Sequence, residues 1–200
     1  VREIRMKAEE LVQRYQAGKR DFAGIVIEKQ YLGLLKVNLR GVNLSGANLA
    51  GADLATTDLR EANLNGANLE GANLEASILD EADLSGVNLR GANLTNTRFW
   101  KATLREAILS EATLRNTSFL EADLSRADLT RTNLSRTSLA YTRLEEADLR
   151  KSVVYATGSA ARHGFCVNAS YADLRGAKVG PDFPVELAAV RPDGTETGLK

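Results

Sequence analysis

From Leu39 to Val154 every fifth residue is apolar, and no other feature of this chain constrains its fold as strongly. The 24 positions at that spacing hold 21 Leu, Phe99, Phe119 and Val154. Two residues before each stands a small or short side chain: 13 Ala, six Thr, three Val and two Ser. Asn or Asp immediately precedes 15 of the 24. A five-residue period fits neither the roughly 3.6 of a helix nor the roughly 2.0 of an ordinary strand. Gly, Asn, Asp and Thr recurring in every turn-length window disfavour a helix further. Only the apolar residue and the small one before it recur, so both point inward. The chain turns after each short extended piece, with polar residues at the corners. One unit buries a Leu and an Ala, worth roughly 2–4 kcal/mol, against about 5–10 kcal/mol of backbone entropy for five residues. Successive coils must therefore stack, as in a solenoid.

The residue type at the small inward position sets the number of units per coil. Thr57, Ser77, Thr97, Thr117 and Thr137 lie twenty apart and all carry a β-hydroxyl, and Phe99 and Phe119 share that column. Positions 62, 82, 102 and 122 are all Ala, as are 52, 72, 92 and 112. A superimposed period of twenty predicts four pentapeptides per coil and a four-sided tube. Six coils at the roughly 4.8 Å spacing of hydrogen-bonded strands make a tube about 29 Å long.

The units GANLA, GADLA, GANLE and EADLS resemble the pentapeptide-repeat family, whose consensus is A(D/N)LXX, over about 120 of the 200 residues. The opening LVQRYQAGKRDF is similar to the lead-in common among cyanobacterial members. The resemblance implies an all-β solenoid, a right-handed quadrilateral parallel β-helix with the central Leu or Phe and the preceding small residue inside. It does not by itself imply a function, because the family hosts several.

Solenoid ends expose unpaired edges and need caps. Residues 3–16 read as an amphipathic helix with Ile4, Ala8, Leu11 and Tyr15 on one stripe and Gly18 as its stop. The expected division is an N-terminal helical cap over 1–18 and the repeat β-helix over 19–155. Phe22, Ile27 and Leu32 run at fives but two residues out of phase with Leu39, which predicts an irregular first coil with a bulge near Gly33. Ser159 and Gly164 occupy places of central leucines, so 156–166 reads as a loop pushed off one coil. Phase returns at Ala169, Leu174 and Val179, giving final repeats over 167–180. Residues 181–200 contain all three prolines and a Pro-Asp-Gly turn and read as a C-terminal cap and tail.

Nothing converges on catalysis. The lone Cys166 excludes a disulfide framework, and the lone His163 excludes His-pair zinc motifs. These two residues, three apart in the expected loop, lack an orienting group for a thiol–imidazole pair. The Asn and Asp columns invite a calcium site, but residues beside each central Leu serve turn and ladder hydrogen bonds. The expectation is a protein that is not an enzyme, with no cofactor and no metal. No apolar run approaches the roughly 18 residues of a membrane span, and the charged N-terminus carries no secretory apolar segment. The expected compartment is the cytoplasm, or the periplasm or thylakoid lumen if a signal segment preceded Val1.

The surface is more informative. Ile78, Trp100, Leu120, Ala140 and Tyr141 fall on the outward side of the hydroxyl column, with Trp100 and Leu120 at one corner in adjacent coils. Stacked exposed apolar residues mark a candidate interaction surface. The alternative is that the 156–166 loop or the tail covers them. Lys+Arg and Asp+Glu number 26 each, so net charge is zero, yet residues 53–85 carry −7 and residues 86–151 carry +3. Arg126, Arg131 and Arg136 stand at successive corners as a ring. The leading expectation is therefore a non-enzymatic scaffold presenting rigid faces to an unknown protein partner, with a homodimer compatible. The alternative is the DNA mimicry of relatives that bind DNA gyrase and confer fluoroquinolone resistance, for which the acidic column stops after residue 85; nucleic-acid binding is not expected. Ice binding by the threonine column fails because that column points inward.

Overall fold

The computed structural model describes residues 4–27, 38–134, 136–152 and Lys178. Within the repeat, each pentapeptide is a short extended piece closed by a β-turn. The Asn or Asp before the central Leu makes the turn's first bond: Asn48 Oδ1 accepts from the Ala50 N–H at 3.2 Å, and Asn43 Oδ1 from the Ser45 N–H at 3.1 Å. The central Leu carbonyl then accepts from the N–H three residues on, as at Ala47 to Leu44 and Ala52 to Leu49, both 3.0 Å. The third turn residue is left-handed, with φ of 62° at Gly46 and 58° at Thr56. A positive φ there is what a type II turn requires.

Successive coils join through parallel bridges at an interval of twenty residues, for example Asn43 to Asn63, Asn63 to Asp83 and Asp83 to Thr103. Central Leu N–H groups donate to the next coil, as Leu44 to Asn63 at 2.7 Å, and the return bond runs from Asn63 to Val42 at 2.9 Å. Four turns per twenty residues give the coil four faces. Face 1 is centred on Leu39, Leu59, Leu79, Phe99, Phe119 and Leu139. Face 2 starts from Leu44, face 3 from Leu49 and face 4 from Leu54. Coil 1 is counted from residue 38, coil 2 from 58, and so on.

The interior is a stack of fully buried Leu and Ala. Phe99 and Phe119 stack with ring centroids 5.0 Å apart and planes inclined by 10°. Thr57, Ser77, Thr97, Thr117 and Thr137 are buried in their inward column. The hydroxyls of Thr97, Thr117 and Thr137 tie coils together: Thr97 Oγ1 donates to the Leu74 carbonyl at 2.7 Å and Thr117 Oγ1 to the Leu94 carbonyl at 2.7 Å. Outside, Asn side chains form ladders of their own, with Asn73 Nδ2 donating to Asp53 at 3.0 Å and Asn93 Nδ2 to Asn73 at 3.2 Å.

The N-terminal segment differs from the expected helix over 3–16. Strand β1 (Arg5–Met6) precedes helix α1 (Ala8–Gln16), and strand β2 (Val26–Ile27) follows. β1 pairs in parallel with β2, and the Ile4 carbonyl accepts the Val26 N–H at 2.9 Å. The backbone of residues 4–6 is thus used to cover the edge of β2, which a helix continued through them would leave unpaired. Ile4, expected on the buried stripe, is 60% exposed, and Met6 is buried in its stead. Further along, Leu11 is fully buried, Val12 and Tyr15 pack on the core, and the Tyr15 hydroxyl donates to the Arg40 carbonyl at 2.7 Å. Gly18 follows the helix at φ 96°.

Asp21 bridges Asn43 and Val26 bridges Asn48, an interval of 22 residues against 20 elsewhere in the repeat. The expected bulge near Gly33 and Leu32 lie outside the described residues. At the other end Asp148 bridges Lys178, and Leu149 donates to the Lys178 carbonyl at 2.7 Å. That interval exceeds one coil by ten residues. The segments 156–166 and 181–200, and all of 167–180 except Lys178, lie outside the described residues.

Candidate interaction surface

The corner between faces 1 and 2 is built from two columns, Arg40, Arg60, Asp80, Trp100, Leu120 and Ala140 in one, and Glu61, Glu81, Lys101, Glu121 and Tyr141 in the next. The backbone ladder stacks them coil on coil: Lys101 N–H donates to the Leu120 carbonyl at 3.1 Å and Glu121 N–H to the Ala140 carbonyl at 3.2 Å. Trp100 and Leu120 are half-buried and neighbour each other along this column. Tyr141 is 56% exposed, whereas Ala140 is only 7% exposed and adds little surface. Ile78 lies on the flat of face 1, bridged to Asp58 and Arg98, rather than at the corner. The structure therefore gathers Trp100, Leu120 and Tyr141 and sets Ile78 and Ala140 apart from them.

Trp100 is held on three sides. Its indole Nε1–H donates to Glu121 Oε1 at 3.3 Å. The Lys101 ammonium stands 4.5 Å from the ring centroid, within cation–π range. Glu121 also pairs with that ammonium at 3.6 Å. The third contact comes from Asp80, which sequence reasoning passed over. In most units the Asn or Asp before the central residue accepts the following turn N–H, but Arg98 stands there in the Phe99 unit. Asp80 Oδ1, one coil earlier, accepts the Trp100 N–H instead at 3.1 Å, while Asp80 Oδ2 pairs with Arg98. Asp80 is 5% exposed, and both carboxylate oxygens are thereby engaged. The signal was present as a paired anomaly: an acid in a column that opens Arg40, Arg60, and an arginine at position 98, where most units carry Asn or Asp.

Several charges elsewhere on the coils are engaged in ion pairs between neighbouring coils. Arg126 bridges Glu146 at 2.8 Å and Glu106 at 3.7 Å, and the carboxylates hold its pKa above the usual arginine value. Arg131 lies 3.9 Å from Glu111, which also pairs with Arg90 at 2.9 Å. Arg126 and Arg131, expected as part of a ring, are thus interleaved with acids from neighbouring coils. A shallow groove of about 410 Å³ follows the corner between faces 3 and 4, lined by residues including Arg90, Ser110, Glu111, Thr130, Arg131 and Lys151. Among the described residues no group of three His, Cys, Asp or Glu is placed to hold a metal ion. None of the described helices is long and apolar enough to cross a membrane. His163 and Cys166 lie outside the described residues.

The repeat geometry defines a class, and sequence comparison agrees with it: the pentapeptide repeat family matches residues 38–75, 82–119 and 117–153 with 8 copies, more than half of the chain. The chain belongs to this family. Among solved structures it is similar to HetL, a pentapeptide repeat protein involved in heterocyst differentiation regulation from the cyanobacterium Nostoc sp. strain PCC 7120. The two share 27% identity over 96% of this chain and 99% of that one, with a TM-score of 0.51. A trypsin-treated variant of QnrB1, a plasmid-mediated fluoroquinolone resistance protein, matches at 13% identity over 95% of this chain and 88% of that one, with a TM-score of 0.58. At that identity the likeness concerns the fold alone. No curated protein matches the chain.

Proposed function

We propose that this chain is a non-enzymatic scaffold, a right-handed quadrilateral β-helix closed at its start by α1, that presents a rigid corner to a protein partner in a regulatory role. The observation that carries the reading is the Trp100 side chain, fixed by Glu121 and Lys101 beside Leu120 and on the same corner as Tyr141. A pre-positioned aromatic loses little side-chain entropy on binding, which is why such residues serve as anchors. The likeness to HetL, whose described role is regulatory, supports the class of function and not a partner. The rigid hydrogen-bonded coil supplies the rest, since each corner position is fixed by ladders on both sides.

Replacing Trp100 with Ser and Leu120 with Gln is expected to abolish about 90% or more of partner capture from the native cell, as loss of an anchor residue does. The circular dichroism spectrum and melting transition should stay close to those of the unchanged protein. An unaltered set of captured proteins would remove this corner as the site. Protection of DNA gyrase from a quinolone in a supercoiling assay would instead favour the DNA-mimic reading, against which the arginines after residue 85 argue.

A further inference from the structure

Net charge sorts by level on face 4. In coils 2 to 5 its flat carries uncharged Asn73, Asn93, Thr113 and Asn133, and its two edges carry the charges. In coil 2 those edges hold Glu70 and Glu75, both exposed. In coil 5 the same two edges hold Arg131 and Arg136, both exposed. Between them, in coils 3 and 4, one edge holds Arg90 and then Glu111, paired at 2.9 Å within the chain. The other edge holds the uncharged Thr95 and then Arg115. Apart from Arg115, acid and base are placed symmetrically about the midpoint between coils 3 and 4.

We propose that face 4 is a self-association surface on which a second copy of this chain packs antiparallel, coil 2 of each protomer against coil 5 of the other. A two-fold axis lying across the face between coils 3 and 4 turns the chain direction over and keeps each edge against its own counterpart. Glu70 then meets Arg131 along one edge and Glu75 meets Arg136 along the other, each pair occurring twice, as an isologous interface demands. Arg90 and Glu111 fall opposite each other at the centre and form a four-membered network with their counterparts. Arg115 falls opposite Thr95 and so meets no like charge. The flat, uncharged Asn and Thr strip between the edges requires no charge to be desolvated. The charges sit at the rim, so the association is weak, electrostatically steered and sensitive to salt. The Trp100 corner lies across face 1 from this surface and stays open in the dimer, so the partner reading and this one stand or fall separately.

Sedimentation velocity on the full chain, over a range of concentrations at about 20 mM and about 500 mM salt, is the test. The wild-type chain is expected to dimerise reversibly at low salt and to lose about tenfold or more in affinity at high salt. Two variants, E70R/E75R and R131E/R136E, place like charges in all the outer contacts, 70 with 131 and 75 with 136, and are each expected to be monomeric alone. Mixed in equal amounts, they restore every pair and should form a heterodimer with near wild-type affinity. The residue types suit their places: Arg60 and Arg90 occupy turn positions equivalent to 70 and 75, and Glu61 and Glu111 take the positive φ required at 131 and 136. A wild-type chain monomeric at low salt overturns the proposal. So does a dimer that survives in each variant, or a mixture that stays monomeric. Self-association lost with R131E/R136E and kept with E70R/E75R overturns it too, and would point to an acidic segment elsewhere in the chain as the group that meets the two arginines.

Discussion

At single positions, the turn decides what a side chain costs. The third turn residue has φ near +60° whether it is Gly66 (63°) or Ala76 (55°). A Cβ at Gly66 would meet nothing within 4 Å, so space is not the obstacle there. The left-handed conformation costs an L-residue roughly 1–2 kcal/mol, partly offset by the extra chain entropy glycine loses on folding, about 0.5–1 kcal/mol. Gly66→Ala should therefore destabilise by about 0.5–1 kcal/mol and Ala76→Gly should stabilise by a similar amount. Urea denaturation of the pair measures both; equal signs would show that something other than backbone conformation dominates. The turn chemistry of Asn and Asp was legible in the sequence because most copies of the unit repeat it. Asp80 was not, because its partner N–H belongs to a residue twenty positions away whose own acceptor is missing.

The coil is the next scale, and it is held by two different kinds of contact. Thr117 Oγ1 donates to the Leu94 carbonyl at 2.7 Å, but that carbonyl also receives the Thr97 N–H at 3.0 Å. Thr117→Val thus removes a bond without orphaning the acceptor, and should cost only about 0.5–1.5 kcal/mol. Phe119→Ala empties the space against Phe99, with neighbouring coils fixed by ladders and unable to collapse, and should cost about 3–5 kcal/mol. Thermal melts of the two variants should therefore separate clearly, with Phe119→Ala the lower. A reversed order would mean that an inward hydroxyl bond between coils contributes more than the aromatic stack to holding neighbouring coils together. Both columns were visible as a period of twenty. Whether their hydroxyls bonded within a coil or between coils was not, since Ser77 bonds the Leu74 carbonyl of its own coil while Thr97 bonds the same carbonyl from the next.

For the whole molecule, the balance of charge is a matter of arrangement. The Asp-Leu-Arg sequences at 58–60 and 148–150 fold alike, with the guanidinium Nε 2.9 Å from Oδ1 and Nη2 2.6 Å from Oδ2 in each. The hydrogen bonds from Arg60 and Arg150 hold Asp58 and Asp148 below the usual carboxylate range. With the folded pKa depressed, the unfolded chain binds more protons in the window below the ordinary carboxylate value of about 3.9. The stabilisation is complete above that value and fades as pH falls through the folded pKa. Replacing Arg60 and Arg150 with Gln should therefore lower the melting temperature at about pH 6, and the difference from wild type should shrink towards about pH 2. A gap that stays constant with pH would show that the pairs act through packing alone.

From the amino-acid sequence follow the five-residue unit, the twenty-residue coil and the inward register of Leu, Ala and Thr. Each position there meets the same surroundings in every copy, so the repetitions report one local rule. Only the tertiary structure decided what happens where the repetition stops or where coils exchange groups. Residues 5–6 became a strand because β2 offered an edge that helix propensity cannot anticipate. Arg126 and Arg131 became members of acid–base pairs because neighbours along the axis, not along the chain, set their partners. The Trp100 corner took its form from Asp80 and Glu121, each a coil away. Contacts at an interval of twenty are invisible to local pattern, and it is these that shape the surface a partner would meet.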